Sequence, residues 1–358
     1  MTETRVKYPA LFIDLEKLRH NTRHLAQLCK GKGMETAAVT KVYCAIPELA
    51  ETQASSGVQY LADSRVENLQ RMKDIPLPKM LLRLPSPSRA DEVVAFADIS
   101  LNSELPTLKA LSEAAVRAEK THDVLLMIDL GDLREGVLKE DALPLAQEIV
   151  KLPGLNLAGV GVNLTCYGGV LPSRENLGEL VEIAGEIEST CGVKLKIVSG
   201  GNSSSLKLMQ AGGVPDRVNL LRLGESIVLG LETADGTHIP GTHRDVFTLA
   251  VEIIELKEKP SMPIGEIGMD AFGEKPVFED KGMMKRAILA LGRQDARIEN
   301  LFPRDEGAEI IGASSDHMLL DVTRCKRPLK VGDVMEFDVS YGGLLSVMTS
   351  SYVSKVAR

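Results

Sequence analysis

The feature that most constrains the fold of this 358-residue chain is an eightfold alternation of two apolar patterns. Short apolar runs occur at 36–43, 58–62, 79–84, 98–101, 123–130, 157–164, 195–199 and 218–223. Around them lie stretches at 15–30, 46–55, 64–73, 88–96, 105–118, 140–152, 174–191 and 203–211, in which apolar residues recur at three- and four-residue spacings. Leu177, Leu180, Val181, Ala184 and Ile187 illustrate the helical spacing. Strict alternation of strand and helix predicts a parallel sheet with crossover helices. Eight such units in roughly 200–250 residues predict a (β/α)8 TIM barrel. A doubly wound open sheet is the competitor, with fewer strands in its usual form.

The texture changes near Thr233. Runs at 246–256, 286–291, 308–311, 317–322 and 334–340 are short, β-like and separated by Gly, Pro and Asp. They predict a mainly antiparallel second domain. The expected division is 1–235 for an α/β barrel and 236–358 for a β domain. The length agrees, because a single core stops growing at roughly 250–300 residues.

Composition excludes several classes. Trp is absent and aromatic content is 4%, so the core is aliphatic. The net charge of −8 lacks the basic footprint of a nucleic-acid binder and suits a cationic substrate. No apolar run approaches the ~20 residues that span a bilayer, and the N-terminus has no apolar signal core. Five scattered cysteines, 29, 44, 166, 191 and 325, fit a reduced cytoplasmic protein better than a disulfide framework.

In a barrel of this kind, chemistry sits at the C-terminal ends of the strands. Lys41 closes the first run, where a strand-end lysine alone is ordinarily a solvated charge. Two later turns change that reading. Gly200-Gly201-Asn202-Ser203-Ser204 ends the seventh run and opens a helix, and Arg222-Leu223-Gly224-Glu225-Ser226 ends the eighth. Backbone N–H groups and hydroxyls there suit an anion, although a plain Gly-rich turn with a Ser cap has the same letters. A lysine on strand one with phosphate donors on strands seven and eight suits a Schiff-base cofactor bearing a phosphate, pyridoxal 5'-phosphate.

Asp129, Asp132, Arg134 and Glu135 crowd the end of the fifth run, too many charges for a core. Arg134 is a candidate for holding a cofactor phenolate. Cys166, in Asn163-Leu164-Thr165-Cys166-Tyr167-Gly168, is a candidate acid–base group, with a buried inert thiol as its ordinary reading. His317 beside Asp316 is a second candidate. His20 and His24 lie one helical turn apart with no third ligand, so no metal site is expected. His122, His238 and His243 are read as surface residues.

These residues carry a resemblance. The chain resembles the alanine-racemase-like enzymes of fold type III that use pyridoxal phosphate. The likeness covers essentially the whole length. It is carried by Asp63-Ser64-Arg65, Met127 to Gly136, Gly161 to Gly168, Val198 to Ser205, Gly265 to Gly273 and Gly312 to His317. The resemblance implies a homodimer in which the β domain completes the partner's active site. It implies that Lys41 carries the cofactor and one proton, and that Ser203, Gly224 and Glu225 contact the phosphate, with Asn202 and Ser204 beside them. Arg222 would face the pyridine nitrogen and Arg134 the phenolate. Tyr352 matches a tyrosine that reaches the phosphate. Tyr43 is assigned to the cofactor too, although Ala45 occupies the spacing of the family's other phosphate tyrosine.

One departure matters. Arg293 stands where the family places its second base, and an arginine stays protonated near neutrality. Asp316, His317 and Cys166 are the candidates to replace it. The implied activity is racemisation of ornithine or a related basic amino acid, by removal and return of the α-proton on opposite faces. Asp132, Glu135, Glu266, Asp270 and Asp316 are candidate partners for the substrate's distal ammonium. The competing readings are a non-catalytic carrier of the same cofactor, a racemase of alanine or lysine, and a lysine-dependent aldolase without the cofactor.

Overall fold

A computed structural model describes residues 6–270 and 272–358. Residues 1–5 and Ala271, the latter within one stretch that carries the resemblance, lie outside the described residues. The chain forms two compact units, residues 16–244 and residues up to 15 together with 245–358. The first strand, β1 (Ala10–Ile13), belongs to the second of these.

In the unit 16–244, eight parallel strands close into a barrel. They are β2 (Glu35–Val39), β3 (Tyr60–Asp63), β4 (Lys79–Leu81), β5 (Ile99–Asn102), β6 (His122–Met127), β7 (Leu155–Gly161), β8 (Ile197–Ser199) and β9 (Leu220–Leu223). Closure comes from pairing of β2 with β9, from Glu35 opposite Leu220 to Ala38 opposite Leu223. All eight expected strands are present, and each is followed by helix. The interior is aliphatic and side-chain filled, with Ala37, Ala62, Met80, Leu101, Leu125 and Ile197 in one buried cluster. Gly159 is required where β7 meets β8, because a Cβ there would lie 2.0 Å from the Ile197 carbonyl oxygen.

The helix Arg174–Cys191 shows how the local code works. Ser173 accepts from the Asn176 N–H, Asn176 reciprocates at the Ser173 N–H, and Gly192 closes the helix at φ 68°. Leu177, Leu180, Ala184 and Ile187 are buried beneath it, as their spacing requires.

The first apolar run ends as a strand at Val39, short of the expected 43. The Tyr43 N–H donates to the Thr40 carbonyl at 3.2 Å and folds Lys41–Tyr43 into a 3-10 turn. Lys41 therefore stands on a turn just beyond the strand.

The second unit is an eight-stranded sheet. It contains β10 (Phe247–Pro260), β11 (Met283–Leu289), β12 (Leu301–Pro303), β13 (Glu309–Ala313), β14 (Met318–Asp321), β15 (Val334–Val339) and β16 (Ser354–Ala357), with β1 added. Its pairings are antiparallel except β1 with β16. The division expected at 235/236 differs from these units in two respects. The boundary falls at 244/245, and β1 pairs with β10, from Ala10 opposite Ala250 to Ile13 opposite Phe247. Residues 10–13 fall outside the apolar runs read from the sequence. Their partner strand is remote in sequence.

His122, expected at the surface, is 2% exposed at the start of β6, and its Nε2 lies 2.8 Å from Ser100 Oγ. Burial pushes its pKa down to about 4. The unfolded chain, titrating near 6.5, binds the proton more readily than the folded one. Stability is therefore whole above pH 6.5 and falls as pH drops toward 4. The expected loss is about 3 kcal/mol. Urea denaturation across that range should show it, and His122→Gln should flatten this part of the profile.

Candidate active site

Because the barrel strands are parallel, their C-terminal ends share one rim. Lys41 is exposed there. Its turn is fixed from below by a buried pair. The Thr40 hydroxyl donates to Asp63 Oδ2 at 2.6 Å, and both residues are fully buried. Asp63 Oδ1 accepts from the Arg65 N–H at 2.9 Å and from Asn68 Nδ2 at 3.0 Å. Burial raises the Asp63 carboxyl above its ordinary range, and these donors oppose the rise. Beyond Lys41, Cys44 and Ala45 are both left-handed, at φ 54° and 49°. Two consecutive non-glycine residues in that region mark a strained turn.

Tyr43 is not on the rim, which corrects the expectation of a cofactor contact. Its side chain is fully buried and its hydroxyl donates to Gln53 Oε1 at 2.7 Å. The 3-10 turn points consecutive side chains in different directions, and the bulky ring takes the inward one.

Beyond β6, the charged segment is a closed knob. Asp129 Oδ1 accepts from the N–H groups of Gly131 and Leu133. Asp132, a candidate for the substrate ammonium, is 1% exposed and already committed. Its carboxylate accepts from the N–H groups of Cys166, Tyr167 and Val170. Burial would raise its pKa, but those N–H groups outweigh it and hold the carboxyl below its usual range. Asp132 thus builds the loop that follows β7. Arg134 is ion-paired with Glu135, and the Asn163 amide lies against both and against Asn202.

The turn after β8 suits an anion. Asn202 Oδ1 caps the Ser204 N–H at 2.9 Å. Ser203 Oγ lies 2.9 Å from Ser226 Oγ and accepts long bonds, 3.3 Å each, from the N–H groups of Gly224 and Ser226. Ser204 is buried, and its Oγ has no hydrogen-bond partner. It is one of six buried side-chain polar atoms without a partner among the described residues. A phosphate fits that donor set.

Arg222, at 4% exposure, donates to Ser199 Oγ and to the Val162 carbonyl at 2.8 Å. Burial pushes its pKa down to about 10, while the charges of Glu135 and Cys166 raise it. Glu225 is half-buried. Burial raises its pKa, the Lys41 charge lowers it, and Glu232 raises it. Cys166 is exposed, against the ordinary reading of a buried thiol, and Asn202 Nδ2 approaches its Sγ at 3.4 Å.

The barrel rim therefore gathers Lys41, Arg134, Cys166, Asn202, Ser203, Ser204, Arg222, Gly224 and Glu225. The remaining candidates belong to the second unit. Asp316 Oδ1 lies 3.0 Å from His317 Nδ1, and this contact, with the Ser314 and Ser315 hydroxyls, lowers the Asp316 pKa. Tyr352 is 68% exposed. Arg293 is ion-paired with Glu299 and stands 5.3 Å over the Phe272 ring. The Thr40–Asp63 pair escaped sequence reasoning. Its one signal was the Asp63-Ser64-Arg65 stretch, to which no role attached.

Three comparisons place the chain among known proteins. The family description "Alanine racemase, N-terminal domain" matches residues 13–231. The chain is 50% identical to an ornithine racemase of Acetoanaerobium sticklandii, over 97% of this chain and 99% of that protein. It is 41% identical to a lysine racemase of Thermotoga maritima, over 98% of each. Its fold is that of an alanine racemase from Bartonella henselae solved with covalently bound pyridoxal phosphate. There the TM-score is 0.75 at 16% identity, covering 98% of this chain and 99% of that one. The chain belongs to the alanine racemase family.

The Thr40–Asp63 contact yields a prediction. Thr40→Val leaves a buried carboxylate oxygen short of its donor, and the expected cost is about 1–3 kcal/mol of barrel stability. Chemical denaturation of the variant measures it.

Proposed function

We propose that this alanine-racemase-family chain is a pyridoxal-phosphate-dependent racemase of ornithine, with lysine as the nearest alternative. The observation that carries the reading is a single barrel rim uniting exposed Lys41 with a serine turn that holds a buried, unpartnered hydroxyl. The substrate class is supported by the relatives at 50% and 41% identity, which bear those two names.

The residues would divide the work as follows. Lys41 would hold the cofactor covalently. Ser203, Ser204, Asn202 and the backbone N–H groups of Gly224 and Glu225 would hold its phosphate. Arg222, fixed by Ser199 and the Val162 carbonyl, can donate a hydrogen bond to a ring nitrogen without delivering a proton to it. Arg134 would stand at the phenolate. When bound, pyridoxal phosphate supplies the electron sink that lets the α C–H bond ionise. Lys41 Nζ would take or return the α-proton on one face. A second group must serve the other face, and Cys166, Asp316 and His317 are the candidates.

A basic side chain needs an acceptor at its far end. Asp132 is withdrawn from that role because its oxygens serve the loop. Glu135, Glu266, Asp270 and Asp316 remain. A desolvated ammonium against one carboxylate contributes about 1.5–3 kcal/mol. The expected preference for ornithine over alanine in kcat/KM is therefore about ten- to a hundredfold, read by chiral chromatography across an amino-acid panel. The reading extends to a cytoplasmic homodimer whose second unit, with Tyr352, completes the partner's site. Among the described residues, no helix is long and apolar enough to cross a membrane.

The direct test is optical. Purified protein should show a visible absorbance band lost on borohydride reduction, and L-ornithine should lose its rotation with no ketoacid formed. Lys41→Ala should abolish both the band and racemisation while keeping the fold. Ser204→Ala should weaken cofactor retention by about tenfold, followed by release of the cofactor on dialysis.

A further inference from the structure

We infer that the Cys166 thiol is the acid–base group opposite Lys41, so that both proton carriers of the racemisation stand on one barrel rim. The inference rests on the racemase reading and sharpens it. Racemisation needs two carriers that reach one carbon from opposite sides. Lys41 follows β2 and Cys166 follows β7, three strands apart by the shorter way round the closed barrel. The phosphate-type turns after β8 and β9 lie between them. A ligand anchored on those turns is therefore flanked by the amine on one side and the sulfur on the other.

Three other acids of this rim are committed elsewhere, and Glu225 is half-buried at the turn after β9. Asp132 serves the N–H groups of Cys166, Tyr167 and Val170. Asp129 Oδ1 serves those of Gly131 and Leu133. Glu135 is paired with Arg134, and the Tyr43 hydroxyl is buried against Gln53. Tyr167 follows Cys166, but its ring is 77% exposed. Cys166 combines exposure with contact to the ligand turn, through Asn202 Nδ2 at 3.4 Å. That turn also bears the Ser204 hydroxyl, which is buried and has no partner in the protein.

The step balances without an added reactant. The α C–H bond breaks and its proton passes to Sγ, while the bonding pair stays with the carbon. Nζ then delivers its proton to the opposite face, forming the new C–H bond. In the reverse direction the two carriers exchange roles.

The test uses wild-type holoenzyme, Cys166→Ala, Cys166→Ser and Tyr167→Phe, each with L-ornithine in D2O. Loss of racemisation by about a hundredfold or more is expected in both cysteine variants. With L- and D-ornithine supplied separately, solvent deuterium should still enter, with retained configuration, the one enantiomer whose α-proton faces Lys41, and should no longer enter the other. Tyr167→Phe should racemise at close to the wild-type rate. A cysteine variant that racemises within threefold of the wild type, or a Tyr167→Phe protein that alone loses activity, overturns the inference. Wild-type protein that racemises no basic amino acid overturns instead the function on which it rests. A second readout needs no turnover. Iodoacetamide should label Cys166 faster than the other four cysteines, which are buried or half-buried. Labelling of Cys166 no faster than theirs overturns the access to ligand that the role requires.

Discussion

The pairing of β2 with β9 is the contact on which the site depends. It joins the first barrel strand to the last, so that Ala38 lies opposite Leu223. A Cβ on Gly224 would stand 3.3 Å from Val39 Cβ, tighter than side chains normally pack. That close approach brings the Lys41 turn beside the turn that carries Gly224 and Glu225. Nothing local in the sequence ties these two turns together. Closing so long a loop costs chain entropy, and burial of the apolar barrel interior offsets it. The active rim is thus a product of barrel closure, and a chain that left β2 and β9 apart would have a lysine and a phosphate turn but no site.

Around this seam, polar satisfaction separates scaffold from ligand site. Asp63 and Asp132 are buried acids with several donors each, and Arg222 is a buried cation with two acceptors. Such groups are expensive to bury unless bonded, and here they are. They hold turns in place: Asp63 the base of the Lys41 turn, Asp132 the loop that presents Cys166. Ser204 breaks the rule, since its buried oxygen has no partner in the protein.

The sequence displayed the barrel because its signals are local. Eight apolar runs with helical stretches between them survive inspection one at a time, and Gly-Gly-Asn-Ser-Ser announces its turn by itself. It displayed Lys41 and Arg222 because strand ends are countable. What it hid depends on distant partners. Tyr43 looks like a rim residue until Gln53 takes its hydroxyl. Asp132 looks like a binding acid until the loop after β7 folds over it. His122 reads as a polar strand end, and only the neighbouring strand supplies Ser100. β1 has only four residues and no local signal, and its pairing with β10 is decided by residues far along the chain.

The charges of the rim follow the same logic of mutual dependence. Lys41, Arg134 and Arg222 supply positive charge, and Glu135 and Glu225 oppose it. Glu225 sits at the first turn of the helix Glu225–Leu229, beside the proposed phosphate donors, where a second anion is unwelcome. Burial already raises its pKa, Glu232 raises it further, and the charge on Lys41 holds it down. When the lysine amine is neutral, as covalent attachment of a cofactor or a proton-abstracting role requires, that restraint is withdrawn. Burial and Glu232 then act on the Glu225 carboxyl in the same direction, both raising its pKa.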